Sequence, residues 1–260
     1  MLPEEAFPRA KEAAVKALEL DNSLGQAHTV LAWTSLSYDW DWASAERGFQ
    51  RAAQLNQDHA TTHHWYAWYF MAVGRFDDAI VEMRHAKELD PLSLIIAVQT
   101  GHPFYHARDY DGAIKAYQEA LLLNPNFPET HESLGNAYVG KGMFDQGIAE
   151  IQRARSLSPN PEYLASLGIA YAVSGRNQEA LSVLDDLRER AEHEYVSPGL
   201  FVPVYAALGE SDQALEWLER AYAERWYGLI LLAVDSWYDA LRSDPRFQDL
   251  LRRVNVPQQD

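Results

Sequence analysis

Residues 128–159 read PETHESLGNAYVGKGMFDQGIAEIQRARSLSP, and their order of bulky, small and turn-forming residues decides the fold. A bulky residue stands beside a small one at Leu134-Gly135, and the glycine-rich letters GKG then separate the first half from the second. The second half carries small and bulky residues spaced four and three apart, at Gly147, Ile151 and Ala154. Because this spacing puts side chains on one face of a helix, the stretch predicts two helices joined by a turn.

The same pattern recurs along the chain with a period of 34 residues. A polar residue followed by proline recurs at that interval, at Asp90-Pro91, Asn124-Pro125 and Ser158-Pro159. A small residue recurs in the same phase, with one interval of 33, at Ala45, Ala79, Ala113, Gly147, Ala180 and Ala214. A fixed period of this length predicts stacked helical units, each of which buries its apolar face against its neighbours.

In these features the chain resembles the tetratricopeptide repeat family, from about residue 2 to residue 226. The resemblance implies an all-α fold, a right-handed superhelical solenoid of antiparallel helix pairs, in which the first helix of each pair lines a concave groove. We expect a single solenoid over residues 1–260. Its predicted parts are a leading half repeat at 2–20, six repeats at 25–57, 60–91, 94–125, 128–159, 161–192 and 195–226, and C-terminal capping helices at 228–256.

Three stretches also resemble the repeat region of bacterial signalling proteins, namely LDPLS at 89–93, WLERAY at 217–222 and DALRSDPRFQDLL at 239–251. In those proteins similar arrays follow winged-helix transcription regulators, adenylate-cyclase-like domains or serine/threonine kinases. The main expectation is a scaffold for a protein or peptide partner. This second resemblance implies the alternative, a regulatory or sensor module that binds a small ligand or its own effector domain.

Composition excludes several other classes. The chain has 22 Lys plus Arg against 38 Asp plus Glu, a formal net charge of −16, so most of its surface repels nucleic-acid phosphates and no direct nucleic-acid partner is expected. It has no cysteine, which removes disulfides and thiolate zinc sites. Its apolar stretches are far shorter than the roughly 20 residues that span a bilayer, and no signal peptide is visible. We therefore expect a cytoplasmic chain without membrane partners.

The groove geometry of the family selects candidate partner-binding residues, because certain positions of each first helix face the concave side. The candidates are Trp33, His64, Trp68, Met71, His102, Tyr105, His106 and Asn136. Aromatic side chains in a groove favour burial of apolar or aromatic ligand groups, since each ring offers a large rigid surface. Packing of the same rings between neighbouring helices is the alternative, and the sequence leaves it open.

Metal and catalytic sites are not expected. His102 and His106 have the spacing of metal ligands on one helix face, but Pro103 interrupts that helix, and His63 stands at a position that usually packs between helices. No phosphate-binding glycine loop, HExxH or GxSxG motif occurs. The sequence therefore predicts no cofactor, no metal and no enzymatic activity.

Two further features predict local irregularity. Pro103 and Pro203 fall inside groove-lining helices, which are expected to be kinked or broken there, the alternative being an ordinary late start of the helix after each proline. Trp40 and Trp42 lie in a turn enlarged by one residue, and we expect them to brace it. Because the chain begins with half a unit, a homodimer through an open solenoid end is also expected.

Overall fold

The computed structural model describes residues 3–257, and this part of the chain is helical with no strand. Its α-helices are α1 (Pro3–Leu20), α2 (Gly25–Thr34), α3 (Trp42–Leu55), α4 (Ala60–Ala72), α5 (Phe76–Leu89), α6 (Leu94–Gln99), α7 (His102–His106), α8 (Tyr110–Leu123), α9 (Pro128–Gly140), α10 (Phe144–Leu157), α11 (Pro161–Val173), α12 (Asn177–Ala191), α13 (Phe201–Leu208), α14 (Ser211–Ala223) and α15 (Pro245–Arg253). The outermost limits of the predicted domain, at residues 1–2 and 258–260, lie outside the described residues. No described helix is long and apolar enough to cross a membrane.

Each predicted repeat interval contains a first and a second helical arm that pack on each other, and small residues allow the close approach. At the α9–α10 contact, a Cβ added to Gly135 would stand 2.6 Å from Cγ1 of Ile151 and 2.8 Å from the carbonyl oxygen of Gly147. Ile151 is fully buried. The bulky and small residues of the repeating pattern thus form the seam between the two helices of a unit.

Left-handed backbone ends most of the first arms. The glycines at these turns have φ between 75° and 82°, at Gly74, Gly142, Gly175 and Gly209. Such angles favour glycine, which has no Cβ to clash with the next carbonyl. The third repeat has no glycine here, and Arg108 takes the left-handed conformation at φ 63°.

The one-residue insertion before α3 is absorbed by a turn of π-helix at Ser35–Asp39, which extends α2. The amide of Asp41 donates to the carbonyl of Ser35 at 2.8 Å, and Trp40 takes φ 55°. π-Turns are a usual way for a helix to accommodate an extra residue. Trp40 and Trp42 are each 4% exposed, so both indoles are buried beside this turn.

The two internal prolines behave differently. The first arm of the third repeat is broken at Thr100-Gly101 into α6 and α7, with Pro103 in the first turn of α7. The break brings the backbone close to Tyr117, since a Cβ on Gly101 would lie 2.3 Å from Cε1 of that ring. This first arm is therefore broken, as expected, and the break lies two to three residues before Pro103. Pro203 lies at the third position of α13, which starts at Phe201 directly after a 3₁₀ turn, so this helix is not broken at its proline and does not start after it either.

The two ends of the repeat array meet. The indole Nε1 of Trp42 donates to the carbonyl of Val254 at 3.0 Å, and Nη1 of Arg225 donates to the carbonyl of Tyr38 at 2.8 Å. The guanidinium of Arg225 lies 4.0 Å from the ring centroid of Trp40. We call this set of contacts the ring junction. It closes the array into a ring, so Trp40 and Trp42 brace more than their own turn. The leading helix α1, in which Ala14 is the one buried residue among those described, takes no part in these contacts and remains an open end. The homodimer itself stays a prediction.

The C-terminal segment differs from the expected capping helices at 228–256. It forms two 3₁₀-helices, Tyr227–Leu231 and Ser236–Leu241, before the single α-helix α15. Arg242 donates from Nη1 to the carbonyl of Ala233 at 2.6 Å and from Nη2 to that of Asp235 at 2.9 Å, which satisfies groups that a continuous helix would pair internally. Residues 226–241, which we call the C-terminal strap, run along the concave side, where Ile230, Tyr238 and Leu241 are buried.

Candidate functional site

The concave face holds two adjoining cavities between the first arms of the repeats and the C-terminal strap. The outer cavity has a volume of about 310 Å³ and is lined by α4 and α6, with Trp33 at its edge. The inner cavity has a volume of about 240 Å³ and is lined by α7, α9, α11 and the strap. Both are bounded by Trp68, His102, Glu132, Glu162 and Tyr227, and we call them together the chamber.

Seven of the eight predicted binding residues line the chamber. The outer cavity brings together Trp33, His64, Trp68 and His102, and the inner cavity adds Tyr105, His106 and Asn136 to the last two. Met71 is the exception, because it is fully buried in the core and lines neither cavity. Its position on α4 points between the helices, so the structure gives it a packing role. Whether the other seven contact a partner stays a prediction.

Aromatic rings form the outer part of the chamber and are held by one amide. The rings of Trp33 and Trp65 lie 5.2 Å apart, and those of Trp68 and His102 meet edge to face at 5.6 Å. Oε1 of Gln99 accepts from Nε1 of Trp68 at 2.6 Å and also bonds Nε2 of His64. Sequence reasoning missed Gln99, because it lies at the last position of a helix that Pro103 cuts short.

Three glutamates converge on the chamber wall. Glu129 and Glu132 lie one helical turn apart on α9, and Glu162 stands in the first turn of α11. Oε1 of Glu132 accepts from Oγ of Ser166 at 2.6 Å and from Nδ2 of Asn136 at 2.5 Å. Burial raises the pKa of Glu132 to about 7, and the charge of Glu162 adds to the effect. Desolvation by the surrounding protein atoms also raises the pKa of Glu162, with Glu129 contributing, although the residue as a whole is exposed.

The negative charge of this wall has no basic counterpart in the chamber. No lysine or arginine stands among the described residues that line either cavity. Asp235 also faces the inner cavity, but its carboxylate caps the second 3₁₀-helix by accepting from the amide of Trp237 at 3.1 Å. Burial raises the pKa of Asp235 to about 6. The chamber is thus acidic as well as aromatic.

Several buried polar atoms of the chamber have no hydrogen-bond partner within the described chain. They are Nδ1 of His102, the hydroxyl of Tyr105, Nδ1 of His106, Oε2 of Glu129 and Oδ1 of Asn136. Burial lowers the pKa of His102 to about 3 and that of His106 to about 4, so both imidazoles are neutral near pH 7. Buried polar groups in proteins are nearly always paired, with protein or with ordered water, so a group of exceptions in one cavity makes the chamber a candidate site for polar ligand groups or water.

Two histidines outside the chamber, His63 and His131, have structural partners. His63 bonds Oε2 of Glu82 through Nδ1 at 2.6 Å and the carbonyl of Gln57 through Nε2 at 2.9 Å. His131 repeats the arrangement two units later, with Glu150 at 2.6 Å. Within the described residues no group of three or more histidine, aspartate or glutamate side chains is arranged to hold a metal ion. These histidines instead join the first helix of a unit to the second.

Comparison with known proteins agrees with this architecture. Models of the tetratricopeptide repeat match residues 101–142, 132–194 and 204–220. The chain is a tetratricopeptide repeat protein, and the repeats make it a protein–protein interaction module of a generally non-catalytic family.

Among individual relatives, the transcriptional regulator HilA of Salmonella typhimurium is 24% identical over 247 residues, which is 94% of this chain and 42% of HilA. The chain thus spans less than half the length of that regulator. A tetratricopeptide repeat protein from Parabacteroides merdae matches 97% of this chain and 93% of its own, with a TM-score of 0.65 and 13% identity. The Cut9–Hcn1 structure matches 96% of this chain and 46% of its own, with a TM-score of 0.63 and 15% identity. The two structural matches show the fold.

Proposed function

We propose that the chain binds a short segment of a partner protein in the chamber, with Trp33 and Trp68 as its aromatic contacts. The observation that carries this proposal is the convergence of seven sequence-selected residues on two adjoining cavities. The first arms of a tetratricopeptide array supply the concave wall, and rigid aromatic side chains there offer apolar area at little entropic expense.

The ring junction and the C-terminal strap limit what the chamber accepts. The outer cavity, at about 310 Å³, lies at the lower end of the range of ligand pockets, and the inner one is smaller. A whole helix of about 10 Å diameter does not fit into such a volume. The proposed occupant is therefore a chain end or one or two side chains of an extended segment, and the role is binding without a catalytic step.

A peptide library panned on the purified chain tests this proposal. We expect the selected peptides to lose at least tenfold in affinity on Trp68→Ala, while circular dichroism retains the helical content. Leu122→Ala is the matched control, since Leu122 is 83% exposed on α8 and lies outside the chamber. Peptides that bind Trp68→Ala as tightly as the unaltered chain would remove the chamber from the binding site.

The alternative role, a regulatory module of a larger transcription regulator or other bacterial signalling protein, has one specific observation in its favour. The similarity to HilA covers 94% of this chain but only part of that regulator. In this role the chamber senses a small ligand or an effector domain. A reading frame that continues upstream into a DNA-binding or other effector domain is expected, and a stop codon directly upstream of Met1 would contradict it.

A further inference from the structure

The chamber has a charge imbalance that a ligand of one particular kind corrects. Glu129, Glu132 and Glu162 line it, and no basic residue of the described chain does so. Neighbouring carboxylates repel one another, and the partial burial of Glu129 and Glu132 adds to the unfavourable energy of their charges, while Glu162 stands exposed beside them. A ligand that carries positive charge removes both penalties at once.

Unpaired atoms supply a second, independent observation. Tyr105 is 8% exposed and His106 is 9% exposed, yet the hydroxyl of the first and Nδ1 of the second have no partner. Oδ1 of Asn136 and Oε2 of Glu129 are likewise unpaired. The orientation of the Asn136 amide follows from its neighbour, because Nδ2 donates to the carboxylate of Glu132 and Oδ1 must then face away.

Two of the unpaired atoms only accept hydrogen bonds, the amide oxygen of Asn136 and the carboxylate oxygen of Glu129. The Tyr105 hydroxyl can accept as well as donate, and each unpaired imidazole nitrogen accepts in one of its two tautomers. A ligand rich in N–H donors can therefore pair with all of them. Ammonium and guanidinium groups have three and five such donors and accept none.

The aromatic boundary of the chamber fits the same chemistry. Trp68 and Tyr227 border both cavities together with Glu132 and Glu162. A cation close to an aromatic face is attracted by the negative potential of the ring, and the alkyl stem of a lysine or arginine packs against such surfaces.

Together these features point to the ligand. We propose that the chamber binds an ammonium or guanidinium group on an alkyl stem, with Glu132 and Glu162 as its carboxylate partners. The inference rests on the proposed function when a lysine or arginine side chain of the partner segment supplies the cation. A free organic amine has the same chemistry and fits the sensor role. The formal net charge of −16 attracts either ligand toward the protein.

Calorimetric titration of the unaltered chain tests the proposal with defined probes. The first pair is acetyl-Ala-Ala-Lys-Ala-Ala-amide and the same peptide with norleucine, which keeps the stem and removes the charge. The free amines are n-butylamine and agmatine, titrated to 50 mM. We expect saturable binding of a charged probe, at least tenfold tighter than that of the norleucine peptide. Saturable binding of both peptides with equal affinity, or no saturable binding of any charged probe, overturns the proposal.

Variants then assign the binding to the chamber. Glu132→Gln and Glu162→Gln keep the side-chain size and should each weaken the charged probe by about tenfold or more, as loss of a charge-assisted hydrogen bond does. Glu119→Gln is the matched control, because Glu119 is exposed on α8 and its substitution removes the same charge outside the chamber. Equal loss in all three variants means a general charge effect and rejects the site.

The outcomes separate this inference from the proposed function. Library peptides that need Trp68 but contain no basic residue leave the function standing and reject the cation. A free amine that needs Glu132, with no peptide that needs Trp68, keeps the cation and rejects the partner segment.

Discussion

Replacing Trp42 by phenylalanine tests whether the ring junction holds the two ends of the array together. Trp42 is 4% exposed and Val254 is fully buried, and the indole N–H of the first donates to the carbonyl of the second at 3.0 Å. Phenylalanine keeps an aromatic ring but leaves that carbonyl buried and unpaired, which costs roughly 1–3 kcal/mol. The smaller ring also loses apolar contact area, which adds roughly 1 kcal/mol. We expect the free energy of unfolding to fall by about 2–4 kcal/mol.

The regions that Trp42→Phe destabilises are as informative as the total loss of stability. In an open repeat array each unit contacts only its neighbours, so a change at one end leaves the other end unaffected. A closed ring joins residue 42 to α15, more than 200 positions away. Urea unfolding followed by circular dichroism should therefore show the loss of stability, and amide hydrogen exchange should show weaker protection in α3 and in α15 together.

Trp65→Phe is the matched control. Trp65 is half-buried, its ring is tilted against that of Trp33 in the outer cavity, it takes no part in the ring junction, and its indole N–H has no partner in the described chain. Its replacement should change stability by less than 1 kcal/mol, as expected when no buried acceptor is left unpaired. The reasoning is refuted if Trp42→Phe is no worse than the control, or if protection falls in α3 while that of α15 is unchanged.

Two further predictions concern the fold. Gly101→Ala should destabilise the chain by about 2 kcal/mol or more in urea unfolding, because the new Cβ would stand 2.3 Å from the buried ring of Tyr117; an unchanged midpoint would show that the α6–α7 break shifts freely. For His63, burial opposes the charged form, but the hydrogen bonds to Glu82 and to a backbone carbonyl outweigh it and raise the pKa. The stability from this pair is thus fully present below the ordinary imidazole pKa of about 6.5 and is lost as pH rises through the raised value. Between pH 6 and pH 9 the unaltered chain should lose more stability than His63→Gln, and parallel pH profiles would contradict the assignment.

The repeat units could be predicted from sequence because their determinants are local. The 34-residue period, the small residues at Ala79 and Gly147 and the glycine turns all act within one helix pair or between neighbours. Ring closure has no such local signature. It depends on curvature that accumulates over six units until Trp42 meets Val254. The C-terminal strap escaped prediction for a similar reason, since its 3₁₀ turns are stabilised by Arg242 and by burial against distant helices.

The sequence predicted many residues that line the chamber, but it did not predict that the chamber is acidic. Positions on the first arms identified the aromatic and histidine residues of the chamber, while Gln99 lay outside the selected positions. Glu162 holds the position in α11 that Glu129 holds in α9, one interval of 33 earlier, so the spacing contained a signal for it. What no spacing reveals is that the strap runs beside these carboxylates, where Glu129 and Glu132 are partly buried and Glu162 stays exposed. The acidity of the chamber follows from tertiary structure.

Glu132→Gln separates a binding residue from a stabilising one. Burial raises the pKa of Glu132 to about 7, above the ordinary value of 4.5, so the folded chain binds this proton more tightly than the unfolded chain. The sign is therefore opposite to that of a carboxylate in an ion pair: Glu132 reduces stability as pH rises from about 4.5 to 7, and the penalty is complete above that range. This difference between the two pKa values corresponds to a loss of stability of roughly 1–3 kcal/mol after allowance for partial solvation.

Glutamine carries no charge and keeps a hydrogen-bond acceptor for Ser166. Urea unfolding should find Glu132→Gln more stable than the unaltered chain at pH 8 and about equal to it at pH 5, although it binds the charged probes less well. A carboxylate that serves to bind a cationic ligand lowers the stability of the chain when no ligand is bound. A Glu132→Gln variant that is less stable than the unaltered chain at pH 8 would therefore mean that Glu132 stabilises the fold instead.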